Sequence, residues 1–262
     1  MSEAVPIGWG RRLLPRLDGA GREAEGLVHG DTLFGPTEQA HHGRPWVAAN
    51  FVSSVDGRIA QNGSAAGLGS ATDKALMRRI RFEADAVLHG AGTVRAERFT
   101  PAVPPLLSER RVREGRPPQP LGVLVAGNGG LPLQHPYFTA ASPRSPRLIW
   151  TTDPSLGALA RPGIIDVRIV DAPRVSLHGL LADLLARGVE RVVCEGGPGL
   201  FTAMVRDGLI DEVFLTVAPR LLGDAPSLTL GALPGGCSLR PRSVYQRAGE
   251  LFLRYTVDAG AG

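Results

Sequence analysis

Arg191-Val192-Val193-Cys194-Glu195-Gly196-Gly197-Pro198-Gly199-Leu200-Phe201 passes from a short apolar run, through one carboxylate and a glycine pair, into a helix-like segment. An apolar run this short, closed by a turn, reads as a buried strand. Pro198 suits the first helical position, where its missing N–H costs nothing. Glycine lets backbone approach a ligand closely, and a helix N-terminus offers unpaired N–H groups. Such a passage is a site for a phosphate or pyrophosphate, though a plain strand-to-helix turn has the same pattern. A second passage lies upstream, where Ala86-Val87-Leu88-His89 runs into Gly90-Ala91-Gly92-Thr93-Val94. In an open α/β sheet, ligands bind beyond the carboxyl ends of the strands. Two such turns on one edge suggest a dinucleotide spanning them. The full G-x-G-x-x-G fingerprint and its ribose-binding acid are missing, which excludes the Rossmann fold proper. Pattern alone leaves open two tight turns without a ligand.

Outward from these turns, strands and helices alternate. Residues 46–52 read as a largely buried strand and 70–82 as a helix, with Ser70 and Asp73 spaced as a capping box. The proline- and arginine-rich stretch 99–120 reads as an exposed loop. Strands follow at 121–126, 147–151 and 164–170, with a Gly-Asn-Gly-Gly turn beginning at Gly127. Leu177, Leu180, Leu181, Leu184 and Leu185 form one stripe of a helix over 176–187, capped by Ser176 and stopped by Gly188. Strands at 212–218, 243–248 and 251–257 close the chain, the last two joined at Gly249. This order predicts an α/β fold: a mostly parallel sheet covered on both faces, with a C-terminal antiparallel hairpin. Residues 1–44 read as a loosely packed N-terminal arm and 45–262 as one domain.

A chain of 262 residues, 43% hydrophobic and 21% charged, has the composition of an ordinary globular protein. No apolar run reaches membrane-spanning length and no signal peptide is visible, so the expected location is the cytoplasm. Cys194 and Cys237 have no partners for a zinc motif, and no metal is expected. The net charge of +4 invites a nucleic-acid reading. The basic residues are almost all arginine, are scattered, and do not interleave with aromatics, so none is expected. Arginine suits a phosphorylated small molecule equally well.

A third element is Ser53-Ser54-Val55-Asp56-Gly57-Arg58-Ile59-Ala60, where a strand runs into a polar turn. Asp56-Gly57 is ordinary turn chemistry. Asn50, Ser53 and Ser54 sit within an otherwise apolar strand and need partners, of which a ligand is one candidate.

Together these stretches resemble the pyrimidine reductase family of riboflavin biosynthesis. The resemblance is carried by 52–60, by 84–97, by Glu195-Gly196-Gly197-Pro198, by Gly208-Leu209-Ile210-Asp211-Glu212-Val213 and by Ala218-Pro219-Arg220-Leu221-Leu222-Gly223. It runs from about residue 46 to the end and implies a dihydrofolate-reductase-like three-layer α/β/α fold, NADPH as hydride donor, and a homodimer. It implies cofactor contacts at Val52, Gly90, Gly92, Thr93 and Glu97, at the Gly127 loop, and along Gly196, Gly197, Pro198, Gly199, Leu200 and Phe201. Asn50, Ser53, Ala66, Arg81 and Glu195 stand as substrate contacts. Glu195 would accept bonds from an amino-pyrimidine edge, Arg81 would hold the sugar phosphate, and Asp56 or a water would supply a proton.

Three departures stand out. Ala96-Glu97-Arg98-Phe99-Thr100-Pro101 replaces the family's acidic pair followed by proline, leucine and arginine, leaving Arg98 or Arg110 as substitutes. Asn50 stands where many bacterial members carry lysine. The zinc signature of the family's deaminase half does not occur. The implied activity is reduction of a 5-amino-6-(5-phosphoribosylamino)uracil-type ribosylaminopyrimidine to its ribitylamino product. The departures keep alive a reductase of a pterin or a biosynthetic imine; a non-catalytic nucleotide-binding protein is a further alternative.

Overall fold

The computed structural model describes residues 43–127, 130–231, 233 and 235–258; the N-terminal arm assigned to 1–44 therefore lies almost wholly outside the described residues. In chain order the elements are β1 (Trp46–Ser54), α1 (Ala71–Glu83), β2 (Ala86–Gly90), α2 (Ala91–Ala96), α3 (Pro105–Arg113), β3 (Leu121–Ala126) and α4 (Pro136–Thr139). They continue with β4 (Arg147–Thr151), β5 (Ile165–Ile169), α5 (Leu177–Ala186), β6 (Arg191–Cys194), α6 (Pro198–Arg206), β7 (Glu212–Ala218), β8 (Leu239–Arg247) and β9 (Glu250–Val257). The strands form one sheet in the order β5-β4-β3-β2-β6-β1-β7-β9-β8. Pairing is parallel from β5 to β7; β9 runs antiparallel to both β7 and β8.

The period-two alternation of strand side chains sorts the core into two faces. Val47, Ala49, Val192 and Cys194 meet the leucine stripe of α5 together with Phe201 and Met204 of α6. Ala48, Val87, Val193, Phe214 and Phe252 point the other way, against Leu76 and Ile80 of α1. Leu124 and Ile149 continue that second face under α2 and α4. Helices thus cover both faces of the sheet, the three-layer arrangement expected. β6 lies at the centre, paired with β2 on one side and β1 on the other, so both glycine turns emerge side by side.

Two local expectations are corrected. The stretch 99–120 is not all loop, since 105–113 is helical. Pro104 and Pro105, within that proline-rich stretch, occupy the N-cap and first helical position, where proline starts a helix. Arg111 of this helix is buried and donates to the carbonyls of Phe82, Ala84 and Pro117, closing the end of α1. The capping box of α1 is only half made. Ser70 Oγ accepts from the amides of Thr72 and Asp73. The amide of Ser70, which Asp73 would have accepted, instead donates to Glu250 Oε1 at 2.8 Å. A carboxylate from β9 takes the place of the local one, and Asp73 turns elsewhere.

Gly122 of β3 is glycine because Arg147 crosses the sheet there. An added Cβ would stand 2.7 Å from Arg147 Cδ and 2.7 Å from Pro101 Cγ. Gly122→Ala is expected to lower stability by about 1–3 kcal/mol through overpacking. Urea unfolding measures this, and a midpoint equal to wild type would show that the Arg147 and Pro101 side chains yield freely.

Candidate functional site

A cavity of about 1110 Å³ lies across the carboxyl ends of β1, β2 and β6. That position follows from the topology, because parallel strands deliver their turns to one edge. On one side it is walled by Gly90, Ala91, Gly92 and Thr93, and by Gly196, Gly197, Pro198, Gly199 and Leu200, with Val52 and Gly127 beyond. The two glycine turns interlock. A Cβ on Gly196 would stand 2.9 Å from the amide nitrogen of Gly90 and 2.6 Å from Leu200 Cδ2, and one on Gly197 would be 3.2 Å from Thr93 Oγ1. Gly92 has open space where a side chain would begin. Thr93 Oγ1 is buried with no hydrogen-bond partner among the described residues.

The other side is built by α1 and the end of β6. Asp73, Met77 and Arg81 recur at every fourth position and so share the α1 face that lines the cavity, which Asn50 and Glu195 also line. Glu195 and Arg81 form a buried, two-toothed ion pair. Arg81 Nε lies 2.9 and 3.0 Å from the Glu195 carboxylate oxygens, and Nη2 lies 2.6 Å from Oε2. Arg81 Nη1 donates to the carbonyls of Thr100 and Ala102 at 3.0 and 3.3 Å. Burial alone would raise Glu195, but the Arg81 guanidinium and a hydrogen bond from His89 outweigh it and hold the carboxyl at about 2. It is an anion at neutral pH with one flank turned to the cavity. His89 sits at the end of β2 with Nε2 3.5 Å from Glu195 Oε2 and its ring 4.5 Å from that of Phe99. Burial pushes its pKa down against the pull of Glu195, leaving a neutral imidazole. Burial likewise pushes the Cys194 thiol up to about 12, which makes it inert.

Several expected site residues are placed differently. Arg81 does line the cavity, but four of its five N–H donors go to Glu195 and to the carbonyls of Thr100 and Ala102, so it anchors Glu195 rather than presenting a free guanidinium to a phosphate. Asp56 is exposed and outside the cavity. The Ser54 hydroxyl and the amides of Leu222 and Gly223 donate to its carboxylate and hold it down at about 2. An anion engaged in a surface turn is not a proton source for this cavity. Ser54 is satisfied by that same turn, accepting also from the amide of Arg58. Ser53 is buried beside β7 without reaching the cavity. Ala66 is exposed, and its neighbour Ala65 takes the wall position. Phe201 is core, its ring 4.8 Å from that of Phe51. Glu97 faces the cavity, but its carboxylate accepts from Ser64 Oγ at 2.9 Å and the Ala65 amide at 2.5 Å. It therefore ties the 59–66 loop across the entrance. Of the two arginines considered for a phosphate, Arg98 lines the cavity, while Arg110 pairs with Glu114 and lies over Phe82. His89, Asp73 and Met77 were missed. A polar residue closing a buried strand, and the four-residue spacing back from Arg81, were the signals available.

Among the described residues no helix is long and apolar enough to cross a membrane, and no group of three His, Cys, Asp or Glu side chains gathers to hold a metal ion.

A central cavity between two glycine turns and an anchored carboxylate, on a mostly parallel sheet with an antiparallel end, defines an α/β protein with a ligand-sized site at the carboxyl ends of its strands. The chain belongs to the RibD C-terminal domain family, whose pattern matches residues 45–252. It is 30% identical over 223 residues to the 2,5-diamino-6-ribosylamino-4(3H)-pyrimidinone 5′-phosphate reductase of Methanothermobacter thermautotrophicus, covering 82% of this chain and 99% of that one. The riboflavin biosynthesis protein RibD of Chlamydia trachomatis is 30% identical over 192 residues, 71% of this chain but 49% of that protein. Among solved structures, a pyrimidine reductase-like protein from Corynebacterium diphtheriae superposes with a TM-score of 0.75, covering 90% of this chain and 99% of the other at 22% identity, a likeness of fold. Acinetobacter baumannii RibD gives a TM-score of 0.68 at 25% identity, over 82% of this chain and 58% of that one.

The Glu195–Arg81 pair carries a pH signature. The folded carboxyl titrates at about 2 against an ordinary 4.5, so its stabilisation is complete above 4.5 and is lost as pH falls through 2. Arg81→Met strands a buried anion and should cost about 3–5 kcal/mol at neutral pH, the deficit narrowing in acid as Glu195 takes up a proton. Urea unfolding across this pH range checks it; equal stability of the two proteins at pH 7 would sink the argument.

Proposed function

We propose that this protein reduces a ribosylaminopyrimidine 5′-phosphate, of the 5-amino-6-(5-phosphoribosylamino)uracil type or its 2-amino counterpart, to the ribitylamino product, with NADPH as the reductant. The observation that carries the reading is the pairing, within one cavity, of an open glycine-lined half and a half built around the anchored Glu195. The first half suits a dinucleotide: Gly196 and Gly197 keep the backbone bare, Thr93 Oγ1 lacks a partner, and α6 presents its N-terminus. Val52, Gly90, Gly92, Thr93, Gly127 and the 196–200 turn would hold it. When bound, the reduced nicotinamide supplies a hydride; the protein binds, orients and excludes water.

The second half suits an amino-substituted ring. Glu195 stays ionised and is fixed by Arg81, so it can accept hydrogen bonds from ring N–H and amino groups while its own position costs no further ordering. Asn50 faces the same space and offers both a donor and an acceptor. The substrate phosphate falls to Arg98, an exposed guanidinium on the cavity wall with no ion-pair partner among the described residues. The relative matched over nearly its whole length carries the 2-amino ring in its name, which supports testing that ring first. The family resemblance also implies a cytoplasmic homodimer, and we adopt that as the working unit.

Two measurements test this reading. Gly197 has φ −58°, which any residue adopts, so Gly197→Ala tests close approach rather than backbone strain. It is expected to weaken NADPH binding at least tenfold, about 1.4 kcal/mol, in calorimetric titration; unchanged affinity in a folded variant would remove the turn from the site. Arg98→Ala should raise KM about tenfold or more for the 5′-phosphate substrate and leave the dephosphorylated nucleoside almost unaffected. Turnover of a dihydropterin in place of the pyrimidine would transfer the assignment to a pterin reductase.

A further inference from the structure

Asp73 was freed from its helix cap by Glu250, and its carboxylate stands in the cavity wall with Met77 and Arg81. Its place is built. A Cβ on Gly69 would fall 2.6 Å from Asp73 Cγ, so the side chain packs directly over the bare backbone of Gly69. Thr216, buried on β7, lies close enough on the sheet side for its hydroxyl to favour the ionised carboxylate. Half-buried, Asp73 is bordered by the exposed Lys74, so the proton it carries can be replaced from solvent.

Resting on the reduction proposed above, we propose that Asp73 is the general acid of that reaction, delivering its carboxyl proton to the substrate nitrogen attached to C1′. Opening of the ribose ring breaks the C1′–O4′ bond, passes the exocyclic N–H proton to O4′ and leaves a C1′=N bond. Hydride arriving at C1′ forms the new C–H bond, the π pair moves onto nitrogen, and the Asp73 proton forms the N–H bond. The dinucleotide leaves oxidised, and water reprotonates the carboxylate. Net, the reaction consumes one hydride and one proton.

The other carboxyl groups and the histidine on the cavity wall are committed elsewhere, and the arginines there, Arg81, Arg98 and Arg174, stay charged at neutral pH. Glu195 is held ionised by Arg81. The carboxylate of Glu97 is taken by Ser64 and Ala65. His89 is neutral, its Nε2 directed at Glu195 and its face covered by Phe99. Asn50, also on the cavity wall, has no proton to give. Asp73, by contrast, is pushed up to about 6, first by burial and then by the charges of Glu250 and Glu195, against the Thr216 hydrogen bond and Lys74. It therefore retains a protonated fraction near neutral pH, where a general acid is most effective.

Two readouts test the assignment. In carboxyl carbon NMR of the protein alone, one signal should titrate near pH 6, vanish in Asp73→Asn, and move to higher pH in Thr216→Val, which removes the hydrogen bond that favours the anion. In steady-state assays with NADPH and the ribosylaminopyrimidine 5′-phosphate, wild-type kcat should fall about tenfold per pH unit above that pKa. Asp73→Asn should lower kcat roughly a hundredfold or more, abolish that limb and bind NADPH within twofold of wild type. Thr216→Val should carry the limb upward with the NMR titration. A purely structural Asp73 would move neither profile. Active wild type together with an unchanged limb in Asp73→Asn, or a limb that stays put in Thr216→Val, overturns the acid assignment alone. A wild-type protein that reduces no ribosylaminopyrimidine overturns the functional reading and this inference with it.

Discussion

The buried pair between Glu195 and Arg81 is the interaction on which the site depends. It joins the central strand to the helix that crosses the sheet's opposite face, and through Arg81 Nη1 it also draws in the chain at Thr100 and Ala102. A buried pair of this kind is weak evidence for stability, since a hydrophobic replacement often does as well. Its value lies in fixing a carboxylate. Without Arg81, burial would raise the pKa of Glu195 and favour the protonated carboxyl, which donates as well as accepts. Arg81 prevents that by charge and by geometry at once, and leaves one flank of the carboxylate for a ligand.

The remaining walls follow from where the chain must return. Parallel strands require crossovers, and the crossovers from β2 and β6 leave through turns that face each other at 2.9 Å from a virtual Cβ to a backbone nitrogen. Only glycine at 196 permits that approach. The close packing removes side chains from one half of the cavity and leaves backbone amides and one unpartnered threonine hydroxyl there. The other half keeps its side chains because α1 lies across it. Packing thus divides the cavity into a bare half and a functional-group half before any ligand enters.

Much of this was legible in the residues, and the boundary of legibility has physical causes. The period of Leu177, Leu180, Leu181 and Leu184 declared α5, and all four are buried. The apolar runs declared the strands, because central parallel strands are buried on both faces. The proline-rich stretch 99–120 hid a helix at 105–113, since proline both breaks helices and begins them. Tertiary partners were harder still. Asp56 and Arg81 each carry the residue type their expected roles require, but Asp56 is claimed by the amides of Leu222 and Gly223, and Arg81 by a carboxylate 114 positions away. Ser70 and Asp73 have the spacing of a capping box, and only the arrival of Glu250 from β9 dissolves it. In each case the motif was present and a distant group took the hydrogen bond.

That competition for hydrogen bonds is also what differentiates the acids at this site. Glu195 and Asp73 face one cavity and both lose water on folding, which penalises either anion. Glu195 meets a guanidinium and falls to about 2; Asp73 meets a hydroxyl and two other carboxylates and rises to about 6. The same chemical group thereby becomes a permanent acceptor at one position and, in the role proposed above, a proton carrier at the other. Two carboxyl groups with pKa values driven apart by their surroundings are what acid–base chemistry at neutral pH requires. The difference is set by which strand brings which partner: β6 aims Glu195 at α1, while β7 and β9 surround Asp73 with a neutral donor and an acid. Where a bound cofactor carries the hydride, as proposed here, the protein has only the proton and the orientation left to supply, and the proposed roles give one carboxylate to each.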